Sequence, residues 1–311
     1  MTYLARRLWQ FVPTLLGVVL LVFFLFNWVG GDPAYLLAGK IANPELIENI
    51  RRSLGVDQPY WVQLWIFLKQ IVTADFGASW STNERVSQIF ATRLGPSLTV
   101  LIPLLVISTI LSLAAAMLVA YYRGSLTDRA IMIGCTVGQS VSILVYILAL
   151  QYFLAYRLGW FPVQGWGATL GENLLRYAAL PVLVGVVVSL APDIRLYRSF
   201  FLDEIGQDYV RTARAKGLGE ARVLWVHVLR NAAIPVLTNV MTQIPGLLAG
   251  AFLIERFFSI PGIGREVILA VERSDFPVIK AVTIYVAVAT MVINLAADLL
   301  YRALDPRVQL K

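Results

Sequence analysis

Six long runs without a charged residue constrain the fold of this sequence more than any other feature. They cover residues 8–31, 94–122, 130–156, 177–192, 231–254 and 281–297. A helix needs about 20 apolar residues to cross the hydrocarbon core of a bilayer. The fourth and sixth runs are short, but the flanking Arg176 and Lys280 can extend their charged groups to the membrane surface. We therefore predict an all-α integral membrane protein with six transmembrane helices.

The composition excludes several other classes of protein. Of the 311 residues, 58% are hydrophobic and only 14% are charged, whereas soluble domains carry about 25% charged residues. So few charges cannot cover the surface of a soluble domain of this size. The composition argues against a soluble enzyme, a disordered chain and a nucleic-acid-binding domain, despite a net charge of +7.

Cysteine and histidine are too rare for the sites that depend on them. The chain has one cysteine, Cys135, and one histidine, His227. An intrachain disulfide is impossible, and a metal site built on cysteine or histidine has no support. We predict no metal site and no catalytic residue.

The basic residues predict the orientation in the membrane. Six spans place both termini on one side, and most of the net positive charge falls on the loops of that side. Many of the remaining basic residues lie in the long segment 32–93, and long segments translocate largely regardless of charge. Both termini are therefore predicted to be cytoplasmic. The first run is too long for a signal peptide, whose apolar region has about 7–15 residues, so we expect it to be retained.

The loop after the first span is too long for a simple connection and contains two helix patterns. Asn43, Pro44 and Glu45 predict the start of a helix, and Gly55 predicts its end. A second helix after Pro59 carries an apolar stripe of helical period, formed by Trp61, Leu64, Trp65, Leu68, Ile71 and Val72. We expect this helix to pack on the membrane surface or on its own domain; contact with a delivery protein is the less favoured alternative.

The second long loop, 193–230, mixes acidic and basic residues. Its pattern predicts a helix that ends near Lys216 and Gly217, a turn, and a second helix that begins near Glu220. A purely basic amphipathic helix would fit an anionic lipid surface. Here the acidic residues nearly balance the basic ones, which favours a protein partner.

This loop resembles the cytoplasmic coupling segment of ATP-binding-cassette importer permeases, in the dipeptide, oligopeptide, nickel and glutathione branch. The resemblance lies in residues 208–217, DYVRTARAKG, and in residues 230–235, RNAAIP. Four shorter motifs agree with it: Gly31-Asp32-Pro33, Pro261-Gly262-Ile263-Gly264-Arg265, Asp275-Phe276-Pro277 and Leu304-Asp305-Pro306-Arg307. The general permease pattern begins Glu-Ala-Ala where this chain has Arg211, Thr212 and Ala213, a substitution that looks characteristic of the peptide branch.

The resemblance implies a type I importer permease fold with three parts. These are a transmembrane helix at 1–30, a helical extracytoplasmic loop at 31–95, and a five-helix core at 96–311 with a coupling segment at 193–235. The residues that it implies for coupling to the ATPase are Asp208, Arg211, Ala213, Arg214, Ala215, Lys216 and Gly217.

The resemblance further implies a non-catalytic permease subunit in the bacterial inner membrane, with dipeptides or short oligopeptides as substrates. Glutathione, nickel complexes and peptide-like antibiotics are alternative substrates. The expected partners are a homologous second permease in a heterodimer, two cytoplasmic ATPase subunits, an extracytoplasmic substrate-binding protein and membrane lipid, with no nucleic acid. The sequence contains no phosphate loop of the form Gly-x-x-x-x-Gly-Lys-Ser/Thr. We therefore expect no cofactor in this chain, with ATP and Mg bound by the ATPase subunits.

Polar residues inside the apolar runs are candidates for lining a substrate pathway. They are Gln139, Ser142, Thr238, Asn239, Thr242 and Gln243. Hydrogen bonding between helices is the alternative role and the commoner one for such side chains. A secondary transporter would be expected to show buried ionisable residues or an inverted repeat. An intramembrane enzyme would need a nucleophile with a base, or a metal. The sequence favours neither.

Overall fold

The computed structural model describes residues 3–29, 32–38 and 43–304. Helices dominate these ranges, which contain no strand beyond an isolated bridge between Ala78 and Arg85. The all-α prediction is confirmed. Gly31 and residues 305–307, which belong to two of the motifs noted above, lie outside the described residues.

The described chain forms a succession of helices joined by short connections. The α-helices are α1 (Tyr3–Phe24), α2 (Pro33–Ala38), α3 (Pro44–Leu54), α4 (Tyr60–Thr73), α5 (Val86–Tyr121), α6 (Leu126–Ser140), α7 (Ile143–Leu150), α8 (Leu170–Glu172), α9 (Ala179–Ile205), α10 (Asp208–Ala215), α11 (Glu220–Arg222), α12 (Leu229–Phe257), α13 (Ile263–Glu272) and α14 (Phe276–Leu304). Wider π-helical turns cover Leu25–Val29, Gln151–Arg157, Asn173–Tyr177 and Val223–Val228.

Five helical stretches among the described residues are long and apolar enough to cross a membrane. They are Trp9–Trp28, Val86–Tyr121, Ala179–Ile205, Glu220–Pro245 and Phe276–Leu300. A sixth span is obtained when α6 and the helix that begins with α7 are counted together, although they are bent by 96°. The predicted set of six spans is thus present, with one of them broken.

The third charge-free run forms this broken pair instead of the single helix that its composition predicted. Val141 adopts an extended conformation, with φ −89° and ψ 129°. The hydroxyl of Ser142 then accepts the backbone N–H of Leu144 at 3.4 Å and caps the second helix. The Tyr146 hydroxyl donates to the carbonyl of Gly138 at 3.0 Å, which satisfies a backbone group near the break.

The helix that contains the fourth charge-free run is longer than the run, because α9 continues through Pro192 to Ile205. The charge-free run ends at Pro192 because a charged residue follows. That residue, Asp193, is buried and accepts a hydrogen bond from the Gln243 amide at 2.7 Å. A proline is tolerated inside an apolar helix that neighbouring helices support, so the helix does not end where the charge-free run does.

The described residues divide into two compact units. The first contains the described residues of Met1–Gly95 and Arg265–Leu295, and the second contains those of Pro96–Gly264 and Ala296–Gln309.

In the first unit, the predicted helices of the long first loop are confirmed. The Asn43 side chain accepts the backbone N–H of Glu45 at 3.1 Å, and Gly55 ends α3 with φ 69°. In α4, Phe67 is buried in a cluster with Val19 and Val22 of α1. The predicted apolar stripe of α4 divides between two environments. Its partly buried members are Leu64, Leu68 and Ile71, and its exposed members are Trp61, Trp65 and Val72.

The loop that follows α4 is fastened to Asp275, which directly precedes α14. The Asp275 carboxylate is 1% exposed. It accepts the hydroxyls of Ser79 and Ser81 at 2.5 and 2.8 Å, and the backbone N–H groups of Trp80 and Ser81 at 3.1 and 3.2 Å. The Asp-Phe-Pro motif thus contributes a buried carboxylate whose partners all come from one loop.

In the second unit, two apolar clusters hold the long helices together. One joins α5, α7, α9 and the end of α12, and its members include Leu104, Ile147, Leu180 and Ile254. The other surrounds α10 and is described with the candidate site.

Candidate functional site

The segment 208–217 folds as a short helix followed by a tight turn. Helix α10 covers Asp208–Ala215, and Gly217 has φ +76°, a conformation that favours glycine. The N–H of Gly217 donates to the carbonyl of Arg214 at 2.9 Å. Helix α11 begins at Glu220. The predicted helix, turn and second helix are therefore confirmed.

One face of α10 is buried within the second unit. Val210 is 0% exposed and Ala213 is 6% exposed. Both belong to a cluster with Tyr197 and Phe201 of α9 and Ala232 of α12. Close-packed interiors are stiff and transmit displacement. The buried cluster therefore connects α10 to α9 and α12, two helices of membrane-spanning length.

The opposite face of α10 and the turn that follows are exposed. The exposed members of the predicted coupling set are Asp208, Arg211, Arg214, Ala215, Lys216 and Gly217. Ala213, the seventh member, is buried and packs inside the chain.

Two interactions stiffen the segment and its surroundings. The Arg214 guanidinium donates to both carboxylate oxygens of Glu220, with the Nε–Oε2 distance at 3.1 Å, and so bridges the turn. This hydrogen bond raises the pKa of Arg214. The Tyr209 hydroxyl donates to the Glu204 carboxylate at 2.6 Å, and burial together with this acceptor raises the pKa of Tyr209 to about 12. Tyr209 therefore remains a neutral donor at physiological pH.

An ion pair that the sequence did not predict joins the start of α6 to α9. The Arg198 guanidinium lies 2.8 Å from the Asp128 carboxylate, which is 7% exposed and also accepts the N–H of Gly124 at 2.9 Å. A local signal was present, because Ser125 precedes Asp128 by three residues in the manner of a capping box. Its hydroxyl accepts the Asp128 N–H at 3.2 Å.

Two of the six candidate pathway residues bind the neighbouring helix. The Asn239 amide donates to the Tyr197 hydroxyl at 3.2 Å, and the Gln243 amide donates to Asp193 at 2.7 Å. Both bonds join α12 to α9, which is the helix–helix role considered as the alternative. The sequence does not predict the roles of Asp193 and Tyr197, because the fourth charge-free run ends before them.

The other four candidates make bonds of different kinds. Thr238 and Thr242 donate to carbonyls of their own helix, each at 2.9 Å. Gln139 is exposed and accepts from Arg195 at 2.9 Å. Ser142 caps α7, as described above. The six residues therefore do not form one connected set.

Residues 261–264 of the glycine-rich motif are held by a buried contact within the second unit. The hydroxyl of Ser97 donates to the fully buried Glu255 carboxylate at 2.7 Å and accepts the N–H of Ile263 at 2.9 Å. A side chain at Gly262 would overlap the Glu255 carboxylate, and one at Gly264 would overlap the backbone of Phe252. The two glycines are thus required for close approach to α12.

Two family models together match most of the chain. The family described as "Binding-protein-dependent transport system inner membrane component" matches residues 110–310. The family described as "Binding-prot-dependent transport system membrane comp, N-term" matches residues 1–102.

Comparison with individual proteins finds relatives of the same length. The chain is 36% identical over 311 residues to "Glutathione transport system permease protein GsiC" of Escherichia coli (strain K12), with 100% of both chains covered. The proteins of the same description are 36% identical over 317 residues in Shigella flexneri serotype 5b (strain 8401) and 35% identical over 311 residues in Salmonella choleraesuis (strain SC-B67), again with 100% of both chains covered.

Proposed function

The chain belongs to the family of binding-protein-dependent transport system inner membrane components, and we propose on this basis that it forms one half of a pathway for peptide-like solutes. It is a permease subunit of an ATP-binding-cassette importer and has no catalytic role. A permease of this kind works with a substrate-binding protein and with ATPase subunits. Nucleotide is bound by those ATPase subunits.

The proposed substrates are dipeptides or short oligopeptides. Glutathione is the alternative with the most specific support, because relatives that are 36% identical over the full length are described as glutathione transport permeases. Glutathione is itself a short peptide, so both proposals place the substrate in one chemical class. Nickel complexes and peptide-like antibiotics are further alternatives.

The observation that carries the mechanism is the two-faced geometry of the segment 208–217. Its exposed charged face is available to an ATPase subunit, while Val210 and Ala213 anchor its other face among α9 and α12. In the proposed mechanism, closure of two ATPase subunits displaces α10, and the shared apolar cluster transmits the displacement to the spans. Binding energy at the ATPase contact thereby shifts the pathway between inward-open and outward-open states.

The proposed arrangement places both termini and the segment 208–217 in the cytoplasm and the first loop outside it. It pairs the chain with a homologous second permease. Two ATPase subunits lie on the cytoplasmic side of this pair, and a substrate-binding protein lies on the opposite side. The basis for this orientation is the excess of positive charge on the terminal side. The extracytoplasmic part would then be the module formed by α2, α3 and α4.

The mechanism is tested by reversing charge on the exposed face of the segment. Arg211→Glu combined with Lys216→Glu changes two exposed residues that are not members of the buried cluster. Arg129→Glu is the matched control, because Arg129 is exposed on α6 outside the segment. Each variant is assembled with its partner subunits in proteoliposomes, and ATP-dependent uptake of a labelled dipeptide is measured.

We expect the double variant to lose at least about tenfold in ATP-dependent uptake while the control retains it. Reversing the charge at a contact places like charges opposite each other, which costs several kcal/mol. The double variant should also co-purify with less ATPase subunit. Unchanged uptake in the double variant would refute the proposed coupling role. Competition of the labelled dipeptide by glutathione, measured in the same vesicles, separates the two substrate proposals.

A further inference from the structure

A cavity in the first unit contains a lysine that the described residues do not neutralise. The cavity has a volume of about 540 Å³, and Lys280 of α14 lines it. The Lys280 ammonium lies 5.5 Å from the ring centres of both Phe26 and Phe67. Within the described ranges, no carboxylate lies within ion-pair distance of this ammonium group.

The carboxylate that also lines the cavity is already engaged. Asp32 binds the Arg51 guanidinium through two contacts, the Nε–Oδ2 distance being 3.2 Å, and its other oxygen accepts the N–H of Ala34 at 2.9 Å. This hydrogen bond raises the pKa of Arg51. Among the described residues that line the cavity, the charges therefore sum to a net positive value, contributed by Lys280. A partly buried cation without a counterion is costly, so the cavity is suited to an anion.

The cavity adjoins the ends of two helices of membrane-spanning length, which corresponds to the headgroup level of one membrane leaflet. Its walls include Phe26 and Asn27 at the end of the first span and Phe276 at the start of the last one. Lys280 follows Phe276 by four residues, which corresponds to about 6 Å along the helix. An ammonium group at this depth lies close to the phosphates of the lipid headgroups.

Helix α4 extends the same surface toward the lipid chains. Phe67 belongs to the same buried cluster as Val22, which precedes the end of the first span at Trp28 by about 9 Å of helix. Helix α4 therefore lies beside the end of the span, where an extracytoplasmic helix meets the membrane interface. Its outward residues Trp61 and Trp65 are 82% and 69% exposed, and tryptophan is enriched at the membrane interface.

We propose that this cavity binds the phosphate of an anionic phospholipid, with Lys280 as the phosphate ligand. The aromatic walls and the flank of α4 contact the glycerol and the upper acyl chains of the same lipid. A lipid fits better than a soluble anion because the phosphate site adjoins an apolar surface at membrane depth. Assignment to the outer leaflet rests on the proposed orientation, whereas the site itself does not.

The test uses the purified importer complex and phosphatidylglycerol as the probe. The complex is delipidated in mild detergent, and lipid binding to this chain is followed by native mass spectrometry. We expect one phosphatidylglycerol to bind at least about tenfold more tightly than phosphatidylcholine, a difference of about 1.4 kcal/mol. Lys280→Gln should lose about tenfold in affinity and Lys280→Arg should retain it. Lys69→Gln, which alters an exposed lysine of α4 outside the cavity, should bind as the wild type does.

Several results would overturn the proposal. Equal phosphatidylglycerol binding by wild type and Lys280→Gln would exclude Lys280 as the ligand, and equal binding of phosphatidylcholine would exclude charge recognition. Displacement of the lipid by millimolar inorganic phosphate would assign the site to a soluble anion. Displacement by a dipeptide would assign it to a substrate carboxylate. If Lys280→Gln does not assemble, Lys280→Arg and the competition experiments still decide. ATP-dependent uptake, measured separately, distinguishes failure of this proposal from failure of the transport function.

Discussion

Replacing Gly264 with alanine tests whether the motif 261–265 is required by close packing. A Cβ at this position would lie 2.9 Å from both the backbone nitrogen and the Cα of Phe252. Non-bonded heavy atoms are most favourably separated by about 3.5–4.0 Å. Because the obstructing atoms belong to the backbone of α12, a rotamer change cannot relieve the overlap. The two segments must instead move apart.

The expected cost follows from the nature of this overlap. Inserting a carbon into a well-packed site costs about 1–3 kcal/mol, and a backbone obstruction places Gly264→Ala at about 3 kcal/mol. The separation would also strain the neighbouring bond from the Ile263 N–H to the Ser97 hydroxyl, now 2.9 Å long. The free energy of unfolding should therefore fall by about 3 kcal/mol.

The assay is unfolding of the purified chain in mixed micelles by increasing amounts of a denaturing detergent, followed by tryptophan fluorescence. Gly171→Ala is the matched control, because Gly171 is exposed in α8 and an added Cβ would have nothing within 4 Å. Alanine stabilises a helix by up to about 1 kcal/mol relative to glycine, so this control should be neutral or stabilising. A Gly264→Ala protein within about 0.5 kcal/mol of the wild type, at the scatter usual for surface substitutions, would refute the close-packing explanation.

Three further predictions concern the loops. Gly217→Ala should cost about 1–2 kcal/mol of stability, because Gly217 has φ +76°. Gly219→Ala should be neutral, since Gly219 has φ −61° and its surroundings are open. Melting temperatures of the purified complex check both. Asp275→Asn should destabilise the first unit by about 2 kcal/mol, because an amide cannot accept all four of the hydrogen bonds made to the carboxylate. Limited proteolysis should then cleave the loop 79–82 faster. Unchanged cleavage would contradict this role of Asp275. A double-mutant cycle on Arg214→Ala and Glu220→Ala should give a coupling energy below about 1 kcal/mol, because the side chains are 40% and 34% exposed, and a much larger value would show that solvent screens the pair less than its exposure indicates.

Local sequence patterns, such as capping residues and turn glycines, were sufficient to predict features that depend on neighbouring residues in the chain. Asn43 marks the start of α3 and Gly55 marks its end, because the first and last turns of a helix need partners for their free backbone groups. Gly217 ends the turn after α10 for a similar reason. These signals act within a few residues, so a single sequence contains them in full.

The same rules failed where a distant residue changed the outcome. Charge-free runs ended the fourth span at Pro192, but Gln243 of another helix satisfies the buried Asp193 and α9 continues. The third run looked continuous, but its helix breaks at Val141 and is stabilised there by Tyr146. Charge counting treats each segment alone and cannot register such partners.

The candidate site likewise has one part that the local sequence predicted and another that depends on distant residues. The pattern 208–217 was sufficient to predict a helix and turn with a charged face, but it did not show that Val210 and Ala213 turn inward onto α9 and α12. The contacts of Asp128 with Arg198 and of Asp275 with the loop after α4 likewise join distant parts of the chain.

The sequence by itself determined that the chain is helical, crosses a membrane and presents a charged segment between two of its spans. These properties follow from composition, period and capping residues, which act over distances of one or a few helical turns. Only the tertiary structure decided which side chains of that segment are buried and why Gly262 and Gly264 must lack a side chain. It also decided that Lys280 faces a cavity in which no described residue supplies a counterion. Each of these depends on residues far apart in sequence, whose approach is set by packing in three dimensions.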